Sequence, residues 1–155
     1  MDITIQFKMK KKVAVAADHA GFHIKEKIKK YLIDSGYEVK DFGCFSSDSV
    51  DYPDFGHPAA RAVESGEMDA GFSVCGSGNG MSMTLNKYQC IRSAVCWNEE
   101  ISRLARAHND ANMCSLPGRF ISDAEAILIV KTFLNTTFDG GRHKRRIDKI
   151  PLKRI

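Results

Sequence analysis

Short apolar runs alternate with segments of helical periodicity along the chain, and this alternation most constrains the possible folds. Residues 13–17 read Val-Ala-Val-Ala-Ala and stop at Asp18, which is typical of a strand buried on both faces. Similar runs recur, so the predicted strands are residues 13–17, 37–42, 70–75, 91–96 and 113–116. Strand–helix units of this length join parallel strands through right-handed crossovers. We therefore expect one α/β domain, a doubly wound, Rossmann-like, three-layer fold with a mostly parallel five-stranded sheet.

Between these runs, apolar residues recur three and four positions apart, which predicts helices. Ile24, Ile28 and Leu32 have this spacing within residues 20–35, and Gly36 supplies a helix end. Ser122 and Glu125 form a capping box that opens the last long helix. Other helices are predicted near residues 57–64, from the glycine-rich loop to about residue 87, and over residues 99–107.

The sequence carries no signal for secretion or for a membrane. Residues 1–11 lack the order of charge followed by a long apolar block that marks a secretory signal, so we expect a frayed N-terminal extension over 1–11 and the domain over 12–155. No apolar run reaches 18 residues, and no transmembrane helix is predicted. The five cysteines form no CxxC pair, which disfavours a zinc ribbon and makes the reducing cytoplasm the expected location.

The strongest chemical pattern follows the third predicted strand. Ligands of doubly wound sheets bind outside the carboxyl ends of the strands, where Cys75 precedes the loop Gly76-Ser77-Gly78-Asn79-Gly80. Three glycines let backbone N–H groups approach an anion, although a merely tight turn would look the same. The loop lacks the Lys-Ser/Thr ending of a nucleotide P-loop, and Met81 departs from the dinucleotide pattern. The position of Cys75 fits an activated base or nucleophile, and equally a buried structural cysteine.

Two further segments carry candidate groups with open alternatives. His108 lies in a polar stretch predicted to form a turn, where it is a candidate general acid or base, while Asn109 and Asp110 are also ordinary turn residues. Arg142 and Arg146 are four residues apart and would share a helical face that matches a phosphate. Without other evidence, a solvated basic face or a nucleic-acid-binding tail explains these arginines as well.

Taken together, the segments resemble the B-type ribose-5-phosphate isomerases, a family that includes galactose-6-phosphate and allose-6-phosphate isomerases. The resemblance runs from about residue 12 to residue 150 and rests on several motifs in the right order. These motifs are Asp18-His19-Ala20-Gly21, residues 51–54 (Asp-Tyr-Pro-Asp), residues 75–82 (Cys-Gly-Ser-Gly-Asn-Gly-Met-Ser), Asn86-Lys87, Ile91-Arg92, residues 108–112 (His-Asn-Asp-Ala-Asn) and Gly140-Gly141-Arg142-His143 with Arg146.

This resemblance implies catalytic roles for particular residues. Cys75 would be the base that moves a proton between the first two sugar carbons, and Ser77 with the N–H groups of the glycine loop would stabilise the enediolate oxygen. His108 would open the furanose ring. Some relatives lack the cysteine and use a glutamate at the position of Met81, so this chain follows the cysteine pattern.

The resemblance also implies a substrate-binding set. Its members would contact sugar hydroxyls, the reacting carbons or the phosphate, and they are Asp18, His19, Tyr52, Gly76, Ser77, Gly78, Asn79, Gly80, Asn109, Arg119, Arg142 and Arg146. In the family the site lies between two subunits, with the His108–Asn109 segment supplied by the partner. The expected assembly is therefore a homodimer, possibly paired into a tetramer, and no metal or cofactor, no nucleic acid and no membrane is expected as a partner.

The expected activity is interconversion of ribose 5-phosphate and ribulose 5-phosphate through an enediolate. An allose-6-phosphate or galactose-6-phosphate isomerase is the alternative within the same chemistry, because the sequence does not show the length of the pocket. A non-catalytic protein that binds nucleic acid or a sugar phosphate is the remote alternative, since a fold does not by itself specify a function.

Overall fold

Five strands and six helices follow one another along residues 11–153, the part of the chain that the computed structural model describes. The strands are β1 (Lys12–Ala17), β2 (Glu38–Asp41), β3 (Ala70–Cys75), β4 (Ser93–Val95) and β5 (Met113–Pro117). The helices are α1 (Phe22–Asp34), α2 (Tyr52–Glu64), α3 (Asn79–Leu85), α4 (Glu99–Asn109), α5 (Asp123–Asn135) and α6 (Arg142–Ile147). The extension predicted over residues 1–11 lies outside the described residues, apart from Lys11.

The five strands form one parallel sheet in the order β2-β1-β3-β5-β4. The central strand β3 is buried along its whole length and is hydrogen-bonded to β1 on one side and to β5 on the other. The strand order reverses between β1 and β3, which makes their carboxyl ends the place where a ligand is expected in a doubly wound sheet. The predicted α/β fold with a parallel five-stranded sheet is confirmed.

Apolar side chains fill both faces of this sheet and create the three layers. On one face, α1, α4 and α5 pack against Phe72, which meets Phe133 edge to face with ring centroids 5.4 Å apart. On the other face, α2 and α3 contribute a second apolar cluster that includes Met81 and Leu85. Among the described residues, no helix is long and apolar enough to cross a membrane.

Two helices extend beyond their predicted bounds. Helix α2 begins at Tyr52, five residues before the predicted start near 57, because Pro53 fits the first turn, where its missing N–H has no helical partner anyway. Helix α4 continues to Asn109, so His108 lies in the last helical turn, and its predicted position in a turn is wrong. The helix ends where Asp110 adopts the left-handed conformation with φ of 44°.

A fully buried lysine ties α1 to the end of β2. The Lys25 ammonium donates hydrogen bonds to Asp41 at 2.6 Å and to Glu26 at 2.9 Å, and the side chain of Lys25 has no exposed surface. Asp41 also accepts a hydrogen bond from the Gly43 N–H at 2.9 Å. This ion pair therefore anchors the chain as it leaves β2 for the loop that leads to α2.

We predict that Asp41→Asn lowers the free energy of unfolding at pH 7 by about 3 kcal/mol, because it leaves the Lys25 charge buried with one carboxylate partner fewer. Burial alone would raise the pKa of Asp41, but hydrogen bonds from Lys25 and Lys29 lower it overall. The wild type therefore keeps this stabilisation above about pH 4 and loses it as the pH falls through the lowered pKa.

Urea unfolding at pH 7 and in acid measures both effects. Asp34→Asn is the matched control, since Asp34 forms an exposed pair with Lys30 on the same helix and its loss should cost less than about 1 kcal/mol. Equal losses for the two variants would contradict the assigned role of Asp41.

Candidate active site

The carboxyl ends of β1, β3 and β5 bring three of the predicted segments together. Asp18 follows β1, and its N–H donates to the carbonyl of Val74 at 3.2 Å. The chain after β5 returns to β3 through the Gly118 N–H, which donates to the Cys75 carbonyl at 2.8 Å. Asp18, Cys75 and the turn at Gly118 therefore lie side by side at one edge of the sheet, where the parallel topology predicts a ligand.

Cys75 lies between the apolar interior and the polar loop that follows β3. It is 4% exposed and belongs to the cluster that contains Met81, which is fully buried. The loop that follows turns outward: Ser77 is exposed, and its hydroxyl accepts a hydrogen bond from the Asn79 N–H at 3.3 Å. Cys75 therefore belongs to a buried apolar cluster, and the loop that begins directly after it carries an exposed hydroxyl.

Glycines in this loop let it pack closely against its neighbours. Gly78 has φ of +78°, and a Cβ placed there would lie 3.2 Å from the carbonyl carbon of Leu116. A Cβ on Gly80 would lie 2.6 Å from the ring of Tyr52, so the aromatic ring covers this glycine. Tyr52 begins α2 and is 38% exposed, which leaves its ring at the rim of the site.

The polar groups around the loop have defined partners. Asp18 is 7% exposed, and its carboxylate accepts a hydrogen bond from the Gly21 N–H at 3.0 Å. The ring nitrogen Nδ1 of His19 accepts one from the Val50 N–H at 3.2 Å, which leaves Nε2 for other contacts. Arg119 donates its N–H to the Gly76 carbonyl at 3.1 Å, and its guanidinium passes over Gly76, where an added Cβ would lie 3.1 Å from Nη1.

The other predicted residues lie at the opposite edge of the sheet. His108 and Asn109 end α4, just before Asn112 and the start of β5. The Asn112 carbonyl accepts a hydrogen bond from the N–H of Gly71, the second residue of β3. Gly71 pairs with Met113, whereas Cys75 pairs with Pro117. The two edges are therefore separated by roughly 13 Å of strand. A single chain does not bring His108 to Cys75.

Histidine and carboxylate side chains cluster at this second edge. The rings of His108 and His143 are stacked, with centroids 4.2 Å apart and planes at 10°. His108 Nε2 lies 3.8 Å from Asp139, and the Asp139 N–H is held by the Ala107 carbonyl at 2.9 Å. One side-chain ligand atom from each of His108, Asp139 and His143 therefore lies within 4.8 Å of the other two.

The charges at this edge are mainly positive. Helix α6 carries Arg142 and Arg146 on its exposed surface, beside His143. Desolvation lowers the pKa of His143 below its ordinary value, and the nearby charges of His108, Arg142 and Arg146 lower it further. The lowered pKa favours the neutral form of His143, and the two exposed arginines give this surface a positive charge that favours an anion.

Three residues at the second edge received no role from sequence reasoning. His143 belonged to a recognised motif that begins at Gly140, and Asp139 immediately precedes that motif. Arg92 also belonged to a motif, and the structure shows its guanidinium at the end of α4. His143 and Arg92 stood in motifs without an assigned role, and only the structure shows which residues they contact.

This combination of fold and site defines a class. A cysteine followed by a glycine-rich loop lies at the switch point of a doubly wound parallel sheet, which is the place where α/β enzymes of this architecture bind small molecules. The sequence pattern of the Ribose/Galactose Isomerase family matches residues 13–150. The chain belongs to the ribose/galactose isomerase family.

Individual relatives agree with this assignment. A protein of Bacillus subtilis named as a putative sugar phosphate isomerase is 44% identical over 140 residues, which cover 90% of this chain and 94% of the relative. The crystal structure of a ribose 5-phosphate isomerase from Thermotoga maritima superimposes with a TM-score of 0.89 at 51% identity, covering 90% of this chain and 97% of that one. The ribose-5-phosphate isomerase B of Mycoplasma genitalium, crystallised with bound ribulose-5-phosphate, gives a TM-score of 0.86 at 39% identity, covering 90% and 93%.

We predict that Gly78→Ala destabilises the protein by about 2–4 kcal/mol. Part of this loss, about 1–2 kcal/mol, comes from placing a side chain at positive φ. The remainder comes from forcing a methyl group against the backbone of Leu116 and the side chain of Val95, both 3.2 Å away.

Gly66→Ala separates the two contributions. Gly66 has φ of +82°, and a Cβ there would meet nothing within 4 Å, so its variant carries the conformational cost alone. Chemical denaturation of both variants measures the difference. If Gly66→Ala costs as much as Gly78→Ala, the close packing of the loop contributes nothing to stability.

Proposed function

We propose that this chain is an aldose–ketose isomerase that interconverts ribose 5-phosphate and ribulose 5-phosphate, with Cys75 as its base. The observation that carries the proposal is the position of Cys75, at the carboxyl end of β3 and directly before the glycine-rich loop, in a chain of this family. The relative from Mycoplasma genitalium holds ribulose-5-phosphate, which is the expected product.

The proton transfer uses groups that are close together in one chain. Cys75, as the thiolate, removes the proton from C2 of the open aldose, and the electrons form the C1–C2 double bond of an enediolate whose negative charge is on O1. The Ser77 hydroxyl and the loop N–H groups stabilise this oxygen. Return of the proton to C1, with transfer of the O2 proton to O1, yields the ketose. This scheme needs one base and one preorganised oxyanion site.

Ring opening requires a second acid–base group, which we assign to His108. Ribose 5-phosphate is mainly a closed furanose, so the ring oxygen must gain a proton and the O1 hydroxyl must lose one before Cys75 can act. Because His108 and Asn109 lie at the opposite edge of the sheet from Cys75, they serve the Cys75 of a second copy of the chain. A homodimer is therefore part of the proposal, and pairing of dimers into tetramers is compatible with it.

The remaining residues surround the substrate. Asp18 and Tyr52 contact its hydroxyl groups at the first edge, and His19 and Arg119 approach the phosphate there. Arg142 and Arg146 come with the His108 segment of the partner copy and complete the anion site, for which guanidinium groups provide charge-assisted hydrogen bonds. The positive surface of α6 supports the part that Arg142 and Arg146 have in this proposal.

The proposed compartment is the cytoplasm. All five cysteines are free thiols, including the base, and a reducing compartment preserves them.

We predict that the purified protein isomerises ribose 5-phosphate with a higher kcat/KM than it shows for allose 6-phosphate or galactose 6-phosphate. Cys75→Ala should lower kcat by at least about a thousand-fold with a small change in KM, because the base acts mainly in the transition state. Cys90→Ala, which changes an exposed cysteine, is the control and should keep full activity. A coupled spectrophotometric assay gives these constants. Preference for a hexose phosphate would assign the chain to the other branch of the family, and an active Cys75→Ala protein would refute the base.

We also predict that Cys75→Ala and His108→Asn chains, each nearly inactive alone, recover activity when they are combined. In the heterodimer one shared site carries both changes and the other carries neither, so the activity should reach up to about half of the wild-type value per dimer when the sites are independent. Differently tagged chains are coexpressed, and the heterodimer is isolated by two affinity steps. A heterodimer that forms normally but stays inactive would show that the site is not shared.

A further inference from the structure

Arg92 holds the end of the helix that carries His108. It lies just before β4, and its guanidinium reaches the last carbonyl groups of α4. Nε donates to the Asn109 carbonyl at 2.9 Å and to the Asp110 carbonyl at 3.2 Å, and Nη2 donates to the Asp110 carbonyl at 2.9 Å. Nη2 also lies 3.4 Å from the Asp110 carboxylate.

The backbone of Arg92 is fixed as firmly as its side chain. Its N–H donates to the Asn112 side-chain oxygen at 2.9 Å, and its carbonyl accepts from the N–H groups of Asn112 and Met113 at 3.1 and 3.3 Å. Arg92 is thus joined through both backbone and side chain to the segment that follows α4. The side chain is 24% exposed, so most of its surface faces protein.

These contacts satisfy a helix end that would otherwise lack partners. The last four carbonyl groups of a helix have no intrahelical donors, and a cation there also interacts favourably with the helix dipole. The planar guanidinium donates to two successive carbonyl groups at once, which an ammonium group does not reproduce. Arg106 supports the next residues, since it donates to Asp110 at 2.8 Å and to the Ala111 carbonyl at 2.6 Å. Arg92 alone of these two arginines contacts Asn109.

We propose that Arg92 is a positioning residue for ring opening: its guanidinium fixes the last turn of α4 so that His108 and Asn109 meet the furanose bound at the partner's Cys75. The proposal rests on the proposed function and adds a residue to it. Arg92 acts through the backbone of α4, which carries His108, so it influences the ring-opening step. It does not influence the proton transfer by Cys75, which lies at the other edge of the sheet.

The two steps can be measured separately with ribulose 5-phosphate in D₂O. Removal and return of the C1 proton by Cys75 exchanges deuterium into the ketose and does not require the ring to close, whereas formation of ribose 5-phosphate in its furanose form requires the group at position 108. NMR follows both at saturating ribulose 5-phosphate. His108→Asn provides the reference behaviour, in which conversion falls while exchange at C1 continues.

We expect Arg92→Gln to resemble His108→Asn. Conversion should fall by about ten- to a hundred-fold, as for a catalytic group displaced by about an ångström, while exchange changes by less than about two-fold. Arg92→Lys keeps the charge but loses the fork, so its exchange-to-conversion ratio should lie between those of the wild type and Arg92→Gln. The Arg92→Lys variant also provides the test if Arg92→Gln does not fold. Arg103→Gln, which removes an exposed arginine paired with Glu100 on α4, should behave as the wild type.

The outcome that overturns the inference is a proportional loss of exchange and conversion in folded, dimeric Arg92→Gln or Arg92→Lys, because a merely structural role reduces the amount of active enzyme and leaves the ratio unchanged. The inference is also overturned if the Arg92 variants keep the wild-type rates of both exchange and conversion. A wild-type protein that neither exchanges nor converts ribulose 5-phosphate would instead refute the proposed function, so the two failures are distinguishable.

Discussion

The pairing of β3 with β1 and β5 is the constraint on which the rest of the structure depends. Since all strands are parallel, every strand ends at the same edge of the sheet and every connecting helix returns the chain to the other edge. β3 is buried along its length, so its register with both neighbours is set by apolar side chains on two faces at once. Cys75 is placed beside Asp18 and Gly118 by this register and not by any local preference of its own.

The same topology explains why the candidate residues lie at two edges of the sheet. Cys75 ends a strand, whereas His108 lies at the end of a helix, and in a parallel α/β sheet these two kinds of position lie at opposite edges. No rotation of a side chain spans the length of β3, so a site that uses both residues has to be completed by another copy. Shared sites of this kind couple catalysis to assembly, because a free monomer would carry two incomplete halves.

Most of the fold was predictable because buried parallel strands and amphipathic helices leave strong periodic patterns. The apolar runs at residues 13–17 and 70–75 match β1 and β3, and the capping box at Ser122 is present. Helix ends were less predictable. α4 extends to Asn109, where Arg92, which lies outside the helix in sequence, supplies a donor at its end, and a propensity argument confined to residues 99–112 does not include that residue.

The sequence by itself determined the class of chemistry. A cysteine at a strand end, a loop with three glycines, and the ordered motifs of one family specify which groups are available, since these depend on residue type and local spacing. Tertiary structure decided which groups lie together. It separated His108 from Cys75, placed Tyr52 over Gly80, stacked His143 on His108 and brought Arg92 to the end of α4. Such contacts arise from packing between elements far apart in the chain, where sequence spacing carries no information about distance.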